Sequence, residues 1–292
     1  MLVVSLFLSL LQSSPAPRLV SVDQLAARIS DPRLVILQVG DNASRPVYDA
    51  GHIPGSQFLN PFAELAAPRS DAPGALYLEL PPVARLDSVL EAKGISNDSW
   101  IVLVVASEYF SPTARAALTL AYAGLEANVS VLDGGLEAWK AAGKPVTTEA
   151  PVVRPGNVTI KAEPTVVVGA DYLKANLENR RVAIIDSRTA NFFEGAETRQ
   201  GRNGRIPGAA NIPFTSVIAD GGTFKDLATL RSMFQAAGAE PGDRVITYCH
   251  IGQQASLVWF AARLLGYDAA LYDGSFQEWA RRTELPVVGA GR

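Results

Sequence analysis

Cys249 is the only cysteine in 292 residues, and it stands where two sequence patterns meet. The apolar stretch Arg244-Val245-Ile246-Thr247-Tyr248 precedes it, and Cys249-His250-Ile251-Gly252-Gln253-Gln254-Ala255-Ser256 leads from it into an apolar helical pattern. A strand that turns through a short loop into a helix puts the cysteine at the carboxyl end of a strand, where doubly wound sheets hold their ligands. Loop N–H groups and a helix N-terminus at that place attract an anion and favour thiolate over thiol. The chemistry expected is nucleophilic attack by sulfur with an anion cradled beside it. A buried structural cysteine is the plain alternative for a lone thiol, and the strand–loop–helix placement weighs against it.

The lone thiol also narrows the possibilities. It forms no intramolecular disulfide, and with two histidines it leaves no Cys/His zinc set. No metal or organic cofactor is implied. A cysteine phosphatase is the nearest rival, because it too uses a cysteine loop at a helix N-terminus. Its phosphate-binding arginine is absent, with Ala255 in that position.

The elements that must position Cys249 come in two sets. Gly51-His52-Ile53-Pro54-Gly55 returns as Gly204-Arg205-Ile206-Pro207-Gly208. Leu132-Asp133-Gly134-Gly135 with Trp139 returns as Tyr272-Asp273-Gly274-Ser275 with Trp279. Two kinds of landmark in one order mark an internal duplication. Each half alternates short Val/Ile/Leu runs with helical stretches, which predicts parallel strands joined by crossover helices. Strands are expected over residues 35–39, 101–105 and 129–132, and over 182–185, 245–248 and 269–272. Helices are expected over 229–237, 255–265 and 276–282. Nearly continuous apolar strands require a sheet covered on both faces, so the fold class is α/β, with two tandem domains, each a mainly parallel sheet between helices. Residues 18–147 and 164–292 are the two domains, and the Pro/Val/Gly-rich stretch 148–163 is the linker.

Composition agrees with a protein of two cores, at 48% hydrophobic and 19% charged. Lys plus Arg (26) nearly balances Asp plus Glu (29), so no basic field exists for nucleic acid. The apolar run over residues 2–11 is too short to span a bilayer, which needs roughly 20 residues. Followed by Ser, Pro and Ala, it reads as a signal segment within 1–17 and predicts export, with a cytoplasmic protein as the alternative.

These motifs together resemble the tandem rhodanese-like sulfurtransferases, a family that includes thiosulfate and 3-mercaptopyruvate sulfurtransferases. The resemblance covers nearly the whole chain after Arg18. It is carried by the Gly-His-Ile-Pro-Gly turn, Asp186-Ser187-Arg188, the stretch from Gly204 to Pro213, the Cys249 loop and Asp273-Gly274-Ser275. It implies that Cys249 takes the outer sulfur of a small donor as a persulfide and passes it to a thiol or cyanide acceptor. It implies that His250, Ile251, Gly252, Gln253, Gln254 and Ala255 form the active-site loop, with Asp186 in support. Arg188, expected to tie loops together through Asp186, and Arg199 and Arg202 are supporting candidates for meeting an anionic donor, since guanidinium forks suit oxyanions. The first half lacks this machinery: aligned on Gly124 and Gly266, Ser107 matches Cys249, and Gln38 matches Asp186. That half is expected to be a scaffold closing one wall of the cleft.

Departures from the family bear on the donor. His250-Ile251 matches neither the basic residues that tend to follow the cysteine in thiosulfate enzymes nor the Gly-Ser of mercaptopyruvate enzymes. Phe192 replaces the substrate-binding arginine, and Asn60 and Leu78-Glu79 stand where mercaptopyruvate enzymes have Asp and His. Thiosulfate is the donor expected by elimination. His250 is expected either to orient a donor or to stay exposed beside the thiol. His52, Trp139 and Trp279 are expected to be structural, and Arg205 is a further candidate for an anion. A non-catalytic sulfur-binding or interaction module is the alternative outside enzymes.

Overall fold

The computed structural model describes residues 18–106, 110–199 and 201–289. The signal segment expected within 1–17 and the Ser107 position lie outside the described residues. Each half forms a five-stranded sheet in which every pairing is parallel. In the first half the strands are β1 (Leu19–Val20), β2 (Leu34–Val39), β3 (Gln57–Leu59), β4 (Trp100–Val105) and β5 (Val129–Leu132), in the order β1-β5-β4-β2-β3. In the second they are β6 (Val167–Val168), β7 (Val182–Asp186), β8 (Ala210–Asn211), β9 (Arg244–Tyr248) and β10 (Asp268–Tyr272), in the order β6-β10-β9-β7-β8. The two topologies are the same, as the duplicated landmarks require.

Alternation along the strands divides the side chains between two faces. Ile36, Val102 and Val104 join Trp139 on the outer face of the first sheet, and Ile184, Ile246 and Tyr248 join Trp279 on the outer face of the second. The inner faces merge. Leu37, Leu103 and Val105 belong to the same core as Ile185, Val245 and Leu271. Between the sheets lie two helices, Ser111–Tyr122 and Gln253–Leu264, which occupy equivalent places in the two halves and pack side by side. Both are buried nearly all round because each has a sheet on one side and its counterpart on the other.

The duplicated turns are tied down in the same way twice. Trp139 Nε1 donates to the Pro145 carbonyl at 2.8 Å and Trp279 Nε1 to the Pro286 carbonyl at 2.7 Å. His52 and Arg205 each form an isolated antiparallel bridge to the end of their own domain, at Thr147 and Val288. His52 is a structural residue: it is buried, and its ring nitrogens meet the Tyr48 and Glu149 carbonyls.

The stretch 148–163 has no helix or strand, yet it lies along the first domain. Gly156 N–H donates to the Glu91 carbonyl at 2.8 Å, and a Cβ on Gly156 would stand 2.0 Å from the Ile95 carbonyl oxygen. Only glycine allows that approach. Among the described residues no helix is long and apolar enough to cross a membrane.

Candidate active site

Cys249 follows β9 directly, and residues 249–252 carry the chain into the helix Gln253–Leu264. Gly252 makes the turn at φ +83°, in the left-handed region, and a Cβ there would stand 3.1 Å from Arg115 Nη1 and 3.2 Å from the Asp273 carbonyl. The loop is pinned from the opposite side by the start of the helix Ser275–Arg281. Phe276 N–H donates to the Cys249 carbonyl and Gln277 N–H to the His250 carbonyl, both at 3.0 Å. Ser275 Oγ accepts the Cys249 N–H at 3.4 Å and donates to the Tyr272 carbonyl at 2.9 Å. To do so Ser275 adopts φ +51°, a left-handed conformation that costs a residue other than glycine about 1–2 kcal/mol.

The thiol is fully buried. Burial pushes its pKa up, and hydrogen bonds from the backbone N–H groups of Ala255, Ile251, Gln254 and Gly252 pull it back down. The cradle of amides anticipated from the strand–loop–helix placement is therefore present. The thiolate anticipated with it is not favoured, because desolvation outweighs the amides and the net shift is upward. A sulfur with no exposed surface meets a donor only when neighbouring side chains move.

Asp186 and Arg188 form the base of the site. Both are buried, with Arg188 Nη2 2.5 Å from Asp186 Oδ2 and Nε 2.9 Å from Oδ1. Arg188 also donates to the Gly204 carbonyl at 2.8 Å and lies 4.1 Å above the Phe276 ring. Burial opposes its charge, but the Asp186 carboxylate and the nearby Tyr248 and Cys249 hold its pKa above the ordinary arginine value. Asn211 closes the arrangement by donating to the Asp186 and Arg188 carbonyls.

His250 is buried, not exposed beside the thiol. Its ring meets Phe192 edge-on with centroids 4.5 Å apart. Burial first, then the charges of Arg188 and Arg199, push its pKa down to about 3, so it is neutral near pH 7. Phe192 also lies 5.5 Å from the Arg199 guanidinium, so exposed Arg199 stands at the rim of the site. Arg202 is not brought to the loop. Its guanidinium is tied to the Arg282 and Leu285 carbonyls at 3.3 and 3.0 Å. Arg205 likewise faces Phe193, 4.4 Å over the ring.

The first domain supplies contacts that its sequence did not announce. A strap over residues 74–80 lies across the helix Ser275–Arg281. Tyr77 and Gln277 exchange two hydrogen bonds of 2.9 Å, Leu80 N–H donates to Asp273 Oδ2 at 2.8 Å, and Arg281 reaches the Ala75 carbonyl. Glu79, on this strap, has its carboxyl pushed up to about 8 by burial and by Asp273, against the pull of Arg115. Asp273 belongs to a motif singled out in the sequence, but neither Arg115 nor the strap carries a local signature. Among the described residues no group of three or more His, Cys, Asp or Glu side chains is placed to hold a metal ion.

The Cys249 thiol thus lies under converging loop amides at the carboxyl end of a central strand, in the second of two domains of like topology. The rhodanese-like domain family matches residues 21–142 and again 169–282. A Pseudomonas aeruginosa protein named "Probable 3-mercaptopyruvate sulfurtransferase" is 34% identical over 279 residues, 93% of this chain and 98% of its own. Thiosulfate sulfurtransferase of Gallus gallus is 30% identical over 241 residues, 82% of each chain. The anaerobic ergothioneine biosynthesis enzyme of Chlorobium limicola has the same fold, with a TM-score of 0.82 at 22% identity over 94% of this chain and 71% of that one. The chain belongs to the rhodanese-like family as a tandem pair of domains, and several relatives over most of its length are named sulfurtransferases.

Proposed function

We propose that this sulfurtransferase moves the outer sulfur of thiosulfate to a thiol or cyanide acceptor through a persulfide on Cys249. The feature that carries this reading is the turn that brings the N–H groups of Ala255, Ile251, Gln254 and Gly252 close enough to the Cys249 sulfur to lower its pKa. In the first half-reaction the Cys249 thiolate attacks the sulfane sulfur, a new S–S bond forms, the sulfur–sulfur bond of thiosulfate breaks, and sulfite leaves with the electron pair. Charge is conserved, since the persulfide anion keeps the negative charge the thiolate brought. The amides that meet the thiol then face the terminal sulfur's charge, and such preorganised donors stabilise charge where it develops. In the second half-reaction a thiol or cyanide takes that sulfur and restores the thiolate. Two displacements at one nucleophile give ping-pong kinetics.

The choice of thiosulfate rests on what surrounds the loop. Phe192 occupies the place of a carboxylate-binding arginine and packs on His250, which is neutral. Arg199 is the one guanidinium at the rim among those the sequence suggested, and it is exposed. A single exposed cation suits the approach of an oxyanion but does not clamp a carboxylate in two directions. Mercaptopyruvate, which must be held by its carboxylate, is the less suitable donor. Parallel kcat/KM measurements with both donors test this: thiosulfate should be higher, and Phe192→Arg should raise mercaptopyruvate turnover more than thiosulfate turnover. A higher kcat/KM for mercaptopyruvate in the unmodified protein contradicts the assignment. Export is proposed from the apolar run over 2–11 alone, and N-terminal sequencing of the protein recovered from its native cells tests it.

A further inference from the structure

The two domains brace each other through equivalent positions that carry different residues. In each, the aspartate of the duplicated turn accepts an N–H from the other domain: Asp273 Oδ2 from Leu80 at 2.8 Å, and Asp133 Oδ1 from Phe224 at 3.0 Å. The helices Ser111–Tyr122 and Gln253–Leu264 also pack against each other. Here the symmetry ends. Matching the two helices residue for residue pairs Arg115 of the first domain with Leu257 of the second. At Asp133 the described structure has no arginine counterpart, and a cavity of about 400 Å³ lies there between Val105, Gly134, Leu136 and Ile218. At Asp273 the guanidinium of Arg115 fills the space.

Arg115 is 1% exposed, an unusual state for an arginine on a helix of a domain that has no cysteine. Its Nη1 is 2.8 Å from Asp273 Oδ1, and Nη2 donates to the Leu78 carbonyl. Leu78 is one of two described residues other than glycine with positive φ, at +64°. The other is Ser275, which receives the Cys249 N–H. Nη1 also stands against Gly252, at 3.1 Å from where a Cβ would be. One planar guanidinium thus touches the strap, the turn that pins the Cys249 and His250 carbonyls, and the glycine whose N–H points at the sulfur. A side chain that contacts three segments in fixed directions holds them in one arrangement, which a flexible or apolar replacement does not do.

We propose that Arg115 is a positioning residue of the Cys249 site, supplied by the domain that has no cysteine, and that it keeps the 249–252 loop closed with its amides on the sulfur. This inference rests on the reading of Cys249 as the sulfur carrier. Loss of Arg115 frees the loop, so the sulfur loses both its burial and its amides. Burial is the larger influence on the thiol, and it raises the pKa. Freeing the loop therefore makes the thiol easier to ionise and easier to reach, while the arrangement that stabilises the persulfide is lost. Reactivity toward a small alkylating agent and sulfur transfer should move in opposite directions, which plain destabilisation of the fold does not produce.

The test uses the full chain and its Arg115→Met, Arg115→Lys and Arg263→Met variants. Arg263→Met breaks another ion pair between the two domains, Arg263 Nη2 to Glu126 Oε2 at 2.5 Å, made at the opposite end of the helix Gln253–Leu264 from the loop. The rate of Cys249 alkylation by iodoacetamide is followed across pH, with the single cysteine making the signal unambiguous, and kcat is measured with thiosulfate and cyanide. For Arg115→Met the alkylation profile should shift to lower pH and kcat should fall by about 100-fold, the scale of a misplaced catalytic group. Arg115→Lys should lie between it and the unmodified protein, and Arg263→Met should change neither readout. If Arg115→Met does not fold, an unchanged kcat in Arg115→Lys overturns the inference. It is also overturned if Arg115→Met matches the unmodified protein, or if Arg263→Met reproduces its effects. Should no form transfer sulfur, the function assigned to Cys249 fails, and the alkylation contrast still decides the role of Arg115.

Discussion

The ends of β2 and β7 occupy the same place in two copies of one fold, and they differ in what they bury. At the end of β7, Asp186 is paired with Arg188, which reaches on to Gly204 and Phe276. At the end of β2, Gln38 is fully buried, and neither its amide oxygen nor its nitrogen has a hydrogen-bond partner. The turn after the last strand differs as well. Gly135 takes φ +59° at no steric cost, while Ser275 takes φ +51° and uses its hydroxyl to hold Cys249 N–H. The second domain thus accepts strain and a buried ion pair, both of which are costly, at the places that support the cysteine. The first keeps the backbone shape without them. The two copies share one frame, and the second carries an ion pair and a serine hydroxyl beside its cysteine where the first has a glutamine and a glycine.

The largest effect expected from breaking this contrast is at the base of the site. Arg188→Met leaves Asp186 as a buried charge with its partner gone, a change that typically costs about 3–5 kcal/mol. A large fall in Tm, together with loss of sulfur transfer, is expected by thermal denaturation and assay. A Tm within a few degrees of the unmodified protein would mean that the pair does not hold this end of the sheet.

Ser275→Gly makes the second turn like the first. It removes a hydrogen bond worth about 1 kcal/mol and relieves left-handed strain of about 1–2 kcal/mol, so stability should scarcely change. Sulfur transfer should nevertheless fall severalfold, because Cys249 N–H loses its acceptor. Equal losses of stability and activity would assign Ser275 a packing role instead.

A smaller effect is expected in pH dependence at the strap. The Glu79 carboxyl holds its proton up to about 8 in the folded protein, against an ordinary value of 4.5. Its contribution to stability is therefore complete below the ordinary carboxylate range and is lost as pH rises through about 8. The groups that face it are Asp273 and Glu278, which oppose its ionisation, and Arg115, which favours it. Glu79→Gln should flatten the decline of Tm between pH 4.5 and about 8. An unaltered pH profile would place the cause of any decline elsewhere.

The smallest effect is expected from Ser107→Cys, which gives the first domain a thiol. With Gln38 where Asp186 would be and Gly135 where Ser275 would be, the added cysteine should acquire no sulfur at a rate near that of Cys249. Mass analysis of separated peptides after thiosulfate treatment checks this, and comparable persulfide on both cysteines would erase the contrast between the domains.

Much of the frame was legible because apolar runs and helical stretches carry their own periodicity. The central strands β2, β4, β5, β7, β9 and β10 fall within a residue of the ranges read from the sequence. The edge strands β1, β3, β6 and β8 are two or three residues long, too short to show any period, and were not read. The placement of Cys249 at a strand end was legible for the same reason. What lay beyond the sequence depends on distance in space. His250 is buried by Phe192 from another segment, Arg202 is drawn away by the carbonyls of Arg282 and Leu285, and Arg115 reaches Gly252 from the other domain. The thiol's upward shift was likewise hidden, because loop amides follow from local pattern while desolvation follows from the assembled core.

Intact-mass measurement after treatment with thiosulfate reads sulfur on Cys249 without ambiguity, since the chain has one cysteine. One added sulfur is expected on the unmodified protein, removed again by cyanide, and none on a folded Cys249→Ser protein. An unmodified protein that turns over thiosulfate without ever carrying the added sulfur, or a Cys249→Ser protein that carries it equally, would contradict the account.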